Sequence, residues 1–195
     1  MKNLDNLNIL IVGVGGQGTL LASKFLGAVA VQCGKDVKVS EVHGMSQRGG
    51  SVVTCVKIGN NIHSPIIDLG EADIMLSFEQ VEAVRWLPYL KKGGKIITGT
   101  QKISPMSVIS GKAAYPENVF SALDKTDAEI ISVDALGIAE KCGSRKAVNI
   151  VLTGVLASMI DDITDEEWLN VLSDVVPKKL YDINEKAFLE GKKVV

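Results

Sequence analysis

The six residues Gly13-Val14-Gly15-Gly16-Gln17-Gly18 decide the fold of this chain. They follow an apolar run at residues 8–12, which has the length and composition of a buried parallel strand. They precede residues 19–31, in which apolar side chains recur at helical spacing. A strand, a glycine-rich turn and a helix in this order match the GxGxxG fingerprint of nucleotide-binding folds.

This glycine turn favours an anionic ligand. Glycine lets the backbone turn sharply, lets an anion approach the amides closely, and lets the helix pack near the strand. The open amides and the dipole at the start of the helix then favour a phosphate or another anionic group. The cofactor-binding residues predicted here are Gly13, Gly15, Gly16, Gln17 and Gly18.

The composition predicts a single domain spanning residues 1–195. A chain of 195 residues with 46% hydrophobic content can bury one substantial core. A net charge of −2 gives no electrostatic reason to expect a nucleic acid or a membrane surface as partner. Residues 1–8 do not resemble a signal peptide, and no apolar run approaches the roughly 18 residues that span a bilayer. We therefore expect a cytoplasmic protein.

The three cysteines, Cys33, Cys55 and Cys142, lie far apart and form no CxxC motif. A four-cysteine zinc or iron–sulfur site cannot be built from them, and disulfides are not expected. We expect each thiol to act as a small hydrophobic side chain, and we predict no metal site in this chain.

A polar loop follows a second predicted strand at residues 37–39. It reads Glu41-Val42-His43-Gly44-Met45-Ser46-Gln47-Arg48-Gly49-Gly50-Ser51 and combines three glycines with an imidazole, an amide and a guanidinium. This density of hydrogen-bonding groups exceeds what a connecting turn needs, so we predict a functional role for the loop. Its predicted shared-pocket or interface residues are His43, Gln47, Arg48, Gly49, Gly50 and Ser51.

Two residues of this loop carry specific chemistry. Arg48 can bind a carboxylate or a phosphate through two parallel hydrogen bonds. His43 can accept or donate a proton near neutral pH and is the one catalytic candidate, although it could equally orient a substrate. The alternative is that Arg48 pairs with Glu41 or another acid of its own chain and only pins the loop.

The remaining pattern predicts an α/β fold with a doubly wound, mostly parallel, Rossmann-like sheet. Residues 51–58 alternate as a strand, and residues 62–67 are predicted to return as the second strand of an inserted β-hairpin. Strands at 72–78, 95–98 and 129–133 then alternate with helices, the first of them at 79–90. A capping box at Thr164 and Glu167, followed by an amphipathic segment at 177–190, predicts a helical C-terminal extension.

Four polar side chains in these elements require an interpretation. Asn149 lies inside an apolar helix at 145–160, so its amide needs partners: it either ties down a loop or reaches a site. Glu82 and Arg85 are three residues apart and are interpreted as a solvated ion pair. His63, beside Pro65, is interpreted as a surface or hairpin histidine.

Several motifs together resemble the gamma-type subunits of 2-oxoacid:ferredoxin oxidoreductases. These motifs are GVGGQG at 13–18, EVHGMSQRGGSV at 41–52, SPII at 64–67 and GEADIML at 70–76. The HGMSQRGG loop at 43–50 is most similar to that of the small (beta) subunits of indolepyruvate:ferredoxin oxidoreductases. The resemblance covers roughly residues 8–160 and is far more specific than GxGxxG alone.

The resemblance implies a subunit of an enzyme complex that oxidatively decarboxylates an aryl 2-oxoacid with coenzyme A, giving an acyl-CoA and reduced ferredoxin. Such complexes use thiamine diphosphate and iron–sulfur clusters. This chain has no stretch resembling the thiamine-diphosphate signature GDG…NN, and its cysteines cannot hold a cluster. Both cofactors are therefore expected in a large catalytic partner subunit, and the isolated chain is expected to be inactive. The glycine turn would hold coenzyme A or only pack against the large subunit.

Two other classes of function stay open. A free-standing NAD(P)- or flavin-dependent oxidoreductase would bind a pyrophosphate at Gly13, Gly15 and Gly18 and a ribose at Glu41. The predicted hairpin, the long spacing from the glycines to Glu41 and the lack of a separate substrate domain count against it. The other class is a non-catalytic scaffold subunit, in which the glycines serve only close packing.

Overall fold

The computed structural model describes residues 4–41, 46, 49–104 and 106–195, without the side chains of residues 106 and 107. Within that part of the chain, six strands form one sheet in the order β2-β3-β1-β4-β5-β6. The strands are β1 (Asn6–Val14), β2 (Asp36–Glu41), β3 (Ser51–Gly59), β4 (Ala72–Ser77), β5 (Leu90–Gly99) and β6 (Glu129–Val133). Strands β1, β4, β5 and β6 are parallel, and β3 is antiparallel to both β1 and β2. The predicted mostly parallel α/β sheet is confirmed.

Helices cover both faces of this sheet. They are α1 (Thr19–Gln32), α2 (Gln80–Arg85), α3 (Met106–Ile109), α4 (Val119–Leu123), α5 (Ala135–Lys141), α6 (Val148–Ala157), α7 (Asp165–Val175) and α8 (Tyr181–Lys192). Short 3-10 turns cover Leu87–Tyr89, Arg145–Ala147 and Lys178–Leu180. None of the described helices is both long enough and apolar enough to cross a bilayer.

The predicted strand at residues 62–67 is wrong. That segment has no strand pairing, and Ile67 is its only buried residue. The reason is that β3 has no free edge: it pairs with β1 from Asn6↔Gly59 to Val14↔Ser51 on one side and with β2 on the other. The inserted antiparallel pair is therefore β2 with β3, and the polar loop joins these two strands.

The predicted helix at 79–90 is shorter than expected. Helix α2 ends at Arg85, and a 3-10 turn containing Pro88, which has no N–H to donate, follows it. Strand β5 also begins earlier than the predicted strand at 95–98, so the Lys91-Lys92-Gly93-Gly94 run lies inside it. Between the pairs Ala72↔Leu90 and Ile74↔Lys95 the register shifts, so this run bulges out of the ladder.

The sheet separates two apolar cores of different size. Alternate residues of β1, namely Leu7, Ile9 and Ile11, face the larger core under α1 and α5–α8. Leu10 and Val12 face the smaller core, which α2, α4 and the segment around Ile67 cover. This alternation is the period-two geometry of a strand that is buried on both faces.

The C-terminal helices pack onto the first helix of the chain. Phe25 on α1 makes edge contacts with Trp168 on α7 and Phe188 on α8, with ring centroids 5.5 and 5.8 Å apart. Both bonds of the predicted capping box are present, because Thr164 and Glu167 each accept a hydrogen bond from the other's backbone N–H. The predicted helical C-terminal extension is thus part of the larger core.

Helices α6 and α8 are in backbone contact through two glycines. A Cβ built on Gly154 would overlap the carbonyl oxygen of Phe188 and lie 3.2 Å from Cα of Gly191. A Cβ on Gly191 would likewise overlap the carbonyl oxygen of Val151. Because the obstructing atoms are backbone, a neighbouring side chain cannot relieve the overlap by changing its rotamer.

We expect Gly154→Ala to lower the free energy of unfolding by about 1–3 kcal/mol, because the added methyl forces the two helices apart. Gly27→Ala on α1 is the matched control: its Cβ would meet only Val39 Cγ2 at 3.9 Å. The control should be neutral or stabilising by up to about 1 kcal/mol, since alanine is the better helix former. Urea unfolding of both variants measures the difference, and equal stabilities would contradict the close contact.

Candidate functional site

The candidate site lies at the edge of the sheet where the parallel strands end. The glycine turn follows β1, residues 78–80 follow β4 and residues 100–103 follow β5. Strand β3 is antiparallel and therefore starts at the same edge, with Ser51 paired to Val14. In open α/β sheets this carboxyl edge is where ligands bind.

The structure brings the glycine turn into contact with the end of the polar loop. The backbone N–H of Gly15 donates to the carbonyl oxygen of Gly50 at 2.9 Å. Gly50 in turn donates its N–H to the carbonyl oxygen of Ser46, also at 2.9 Å. Gly49 and Ser51 flank this contact. The bonded residues Gly15 and Gly50 are 35 positions apart in the sequence, so this contact brings two separate motifs together.

The central residues of the polar loop, His43, Gln47 and Arg48, lie outside the described residues. Their predicted roles therefore stay predictions.

Glu41, just before these loop residues, has its Oε1 atom 2.6 Å from the Ser23 hydroxyl, which donates to it. This contact joins β2 to α1. His63 is exposed on the extended segment that follows β3, in agreement with its interpretation as a surface histidine.

The glycine turn leaves several amides open. Gly18 caps α1 in the left-handed region, with φ 87° and ψ 28°, and contributes no side-chain cap. Among the described residues, the backbone N–H groups of Gly16, Gly18 and Thr19 have no hydrogen-bond acceptor. The Gly16 residue is also exposed. Gly16 and Gly18 border open space at the positive end of the α1 dipole, as in an anion-binding turn.

Gln17 plays a different part from the other residues of the turn. Its Oε1 accepts from the N–H of Val14 at 2.7 Å, and its Nε2 donates to the carbonyl oxygen of Phe78 at 2.8 Å. A Cβ on Gly13 would lie 2.8 Å from that same Oε1. The Gln17 amide therefore bridges the crevice between β1 and β4, where the strand order reverses and a dinucleotide normally enters.

Asn149 ties α6 to the glycine turn. It is 3% exposed, and its Nδ2 donates to the carbonyl oxygen of Gly18 at 3.2 Å. Its Oδ1 accepts from the N–H of Ile150 at 3.0 Å. Of the two interpretations made from the sequence, the structure supports the one in which Asn149 fixes a loop.

Gly18 and Gly16 offer a test of this contact, because both have a positive φ but only Gly18 is crowded. A Cβ on Gly18 would lie 2.6 Å from Asn149 Nδ2, whereas a Cβ on Gly16 would meet nothing within 4 Å. We expect Gly18→Ala to cost roughly 2–4 kcal/mol of stability and Gly16→Ala only about 1 kcal/mol. Thermal and urea unfolding compare the two, and equal losses would show that Asn149 exerts no constraint.

Open cavities lie on both sides of the glycine turn. One cavity, of about 510 Å³, lies between the glycine turn, the segment after β5 and the two cations that precede α6. Its lining residues are Gly16, Gln17, Gly18, Gln101, Ile103, Leu136, Arg145, Lys146 and Val148. A second cavity of about 290 Å³ lies between the turn and the start of β3, at Val52 and Thr54. We name the first one the basic cavity.

The basic cavity has the chemistry of an anion site. Arg145 and Lys146 are exposed, and Arg145 also pairs with Glu140, with Nε 3.1 Å from Oε1. The two cations border the same cavity as Gly16 and Gly18 of the glycine turn. The residues present therefore fit the phosphate groups of a ligand such as coenzyme A.

Sequence reasoning missed a buried polar network beside the turn. Glu82, interpreted as one half of a solvated pair, is 3% exposed, so this interpretation is wrong for Glu82. It accepts from Ser51 Oγ as well as from Arg85 Nε, which lies 3.1 Å away. Glu79 is 1% exposed and accepts from the Tyr115 hydroxyl. The only sequence signal for this network was the position of Glu79 at the start of α2.

The described residues contain no group of three or more His, Cys, Asp or Glu side chains arranged to hold a metal ion. Cys33, Cys55 and Cys142 are free thiols, each partly buried on a different element. Burial raises the pKa of all three thiols, so less of each is present as the reactive thiolate at neutral pH. The donor set does not fit an iron–sulfur cluster.

We expect iodoacetamide to alkylate these thiols more slowly in the native protein than in urea-unfolded protein at pH 7.5. The difference should narrow as the pH rises toward the raised pKa values, because the thiolate is the reacting species. Mass spectrometry of each cysteine peptide over time measures the rates. Native thiols that react as fast as unfolded ones would contradict their burial.

The chain is thus an α/β protein in which a glycine turn and the end of a polar loop meet at the carboxyl edge of the sheet. A model of the family described as pyruvate ferredoxin/flavodoxin oxidoreductase matches residues 8–194. The chain belongs to this family. Indolepyruvate oxidoreductase subunit IorB of Thermococcus kodakarensis is 40% identical over 194 residues, which cover 97% of this chain and 96% of the relative. The family resemblance stated from the sequence motifs is confirmed.

Solved structures share the fold. The gamma subunit of a keto/oxoacid ferredoxin oxidoreductase from Geobacter sulfurreducens has a TM-score of 0.72 at 22% identity, covering 96% of this chain and 97% of that chain. The 2-oxoglutarate:ferredoxin oxidoreductase of Magnetococcus marinus, solved with 2-oxoglutarate, coenzyme A and succinyl-CoA bound, has a TM-score of 0.73 at 19% identity. The match covers 97% of this chain but only 31% of that longer chain.

Proposed function

We propose that this chain is the small subunit of a cytoplasmic hetero-oligomeric 2-oxoacid:ferredoxin oxidoreductase. Its substrate is indolepyruvate or another aryl 2-oxoacid, which is decarboxylated and joined to coenzyme A while the released electrons pass to ferredoxin. The observation that carries the proposal is the near full-length match to the Thermococcus kodakarensis subunit IorB. Residues 1–195 act in it as one gamma-type domain.

In this proposal the glycine turn and the basic cavity hold the anionic part of coenzyme A. Coenzyme A supplies the thiol that accepts the acyl group. The open amides of Gly16 and Gly18 and the cations Arg145 and Lys146 all face the space its phosphates would occupy. Gln17 supports this site indirectly, since its amide fixes the shape of the turn. Gly13 and Gly15 allow the backbone of the turn to pack closely.

The polar loop completes a pocket shared with the large catalytic subunit, which holds thiamine diphosphate and the iron–sulfur clusters. His43, Gln47 and Arg48 face the partner's active site, and Gly49, Gly50 and Ser51 join them to the glycine turn. The bond from Gly15 to Gly50 supports this arrangement, because it keeps the end of the loop beside the anion site. Arg48 binds the carboxylate of the oxoacid or a coenzyme phosphate, and His43 orients the substrate or transfers a proton.

A free-standing NAD(P)-dependent enzyme fits the geometry less well. The crevice between β1 and β4 is bridged by Gln17, and the Glu41 carboxylate already accepts from Ser23. Titration of the pure chain with NADH and with coenzyme A separates the two functions. Tight NADH binding with no response to coenzyme A would favour the dehydrogenase.

The deciding variant is Arg48→Ala in a complex reassembled with the large subunit. We expect a complex of normal composition whose kcat/KM for the oxoacid or for coenzyme A falls about 10- to 100-fold, as loss of a charged bidentate contact predicts. Arg48→Lys keeps the charge but not the paired geometry and should recover only part of the rate. Lys178→Ala, which removes an exposed cation near the C-terminal helices, is the control.

Two results would contradict this proposal. One is turnover of an oxoacid by the isolated chain with only a dye as acceptor. The other is an Arg48→Ala subunit that loses its own fold while the surviving complex keeps normal kinetics.

A further inference from the structure

Helix α2 begins with two buried carboxylates, Glu79 and Glu82, which the proposed function does not use. They are 1% and 3% exposed. A carboxylate taken out of water is costly unless its oxygens are hydrogen-bonded, so every contact made by these two side chains is informative. Capping a helix as short as α2 requires only one acceptor at its start, whereas here two oxygens are directed at other segments of the chain.

Glu82 holds the end of the polar loop. Ser51 Oγ donates to Glu82 Oε2, and Arg85 Nε donates to Oε1 at 3.1 Å. Trp86 adds a long contact from its Nε1 to Ser51 Oγ at 3.4 Å. Ser51 directly follows Gly50, which accepts the N–H of Gly15 from the glycine turn. The carboxylate therefore fixes the loop at the residue where it meets the turn.

Glu79 holds the opposite side of the site. Its Oε2 caps α2 by accepting from the N–H groups of Val81 at 2.7 Å and Glu82 at 3.2 Å. Its Oε1 accepts from the N–H of Ile103 at 3.4 Å and from the Tyr115 hydroxyl. Ile103 borders the basic cavity. Burial, together with the bond to Glu79, raises the pKa of Tyr115, which keeps its hydroxyl protonated and able to donate.

We propose that Glu79 and Glu82 are positioning residues that hold, from one helix, the two segments on either side of the glycine turn. Glu82 fixes the end of the polar loop at Ser51, and Glu79 fixes the wall of the basic cavity at Ile103. Neither carboxylate touches the ligand. This inference rests on the proposed function, because it assigns a task to the walls of that same site.

The test uses Tyr115→Phe and Glu82→Gln in the reassembled complex. Tyr115→Phe removes one hydroxyl and should speed hydrogen exchange at the backbone amides of residues 101–103. The KM for coenzyme A should then rise about 3- to 10-fold, the range expected for one lost hydrogen bond, with kcat nearly unchanged. Glu82→Gln should speed exchange at residues 49–51 and lower kcat/KM for the oxoacid by a similar factor.

Two controls remove the same kinds of contact elsewhere. Tyr181→Phe deletes another tyrosine–glutamate bond, 3.3 Å long, between Tyr181 and Glu185 on α8. Glu190→Gln breaks the exposed ion pair with Lys193, which has the same three-residue spacing as Glu82 and Arg85. Both controls should leave the kinetics and the exchange at residues 49–51 and 101–103 unchanged. If Glu82→Gln prevents assembly, the milder Tyr115→Phe decides the question.

Three outcomes would overturn the inference. The first is unchanged local exchange at residues 101–103 in Tyr115→Phe. The second is a lower melting temperature with faster exchange throughout the chain and no change in KM, since this is the result of a merely structural contact. The third is faster local exchange with normal kinetics. If the Arg48→Ala complex is also kinetically normal, the proposed function is contradicted together with this inference. If the Arg48→Ala complex is impaired, only this inference is contradicted.

Discussion

The hydrogen bond from Asn149 to the carbonyl oxygen of Gly18 is the contact on which the rest of the structure depends. It joins the turn that begins the nucleotide-binding pattern to an apolar helix 131 positions further along the chain. Only glycine fits at the turn, because the backbone is left-handed there and the amide of Asn149 occupies the space of a side chain. The contact sets the start of α1, and the open amides of the candidate site follow from that position.

Much of the fold could be predicted because its signals are local. Strand β6 has the bounds that the sequence indicated, since a short run rich in isoleucine and valine marks it without help from other elements. The Thr164 and Glu167 capping box is equally local. The signal for the glycine turn is also local, because the strand, the turn and the helix follow one another directly in the sequence. Interactions of this kind depend on neighbours a few positions away.

The errors arise where distant segments compete for one place. Residues 62–67 have a strand-like pattern, but β1 and β2 already occupy both edges of β3. Glu82 sits three residues from Arg85 and looks like half of a surface pair, yet Ser51, 31 positions away, draws it into the interior. Tyr115 reaches Glu79 across 36 positions. No spacing rule within one helix or strand contains that information, so the buried network of the site was not predictable from the sequence.

The backbone contact between α6 and α8 constrains the order in which the protein acquires its structure. Gly191 lies against Gly154 and Val151, so the outer side of α6 stays uncovered until α8 has been synthesised and docked. Asn149 on that same helix then reaches Gly18. Helix α6 thus connects α8 to the glycine turn through one close backbone contact and one hydrogen bond. During synthesis the apolar side of α6 that faces α8 is exposed until α8 can cover it, and exposed apolar surface of this kind promotes aggregation.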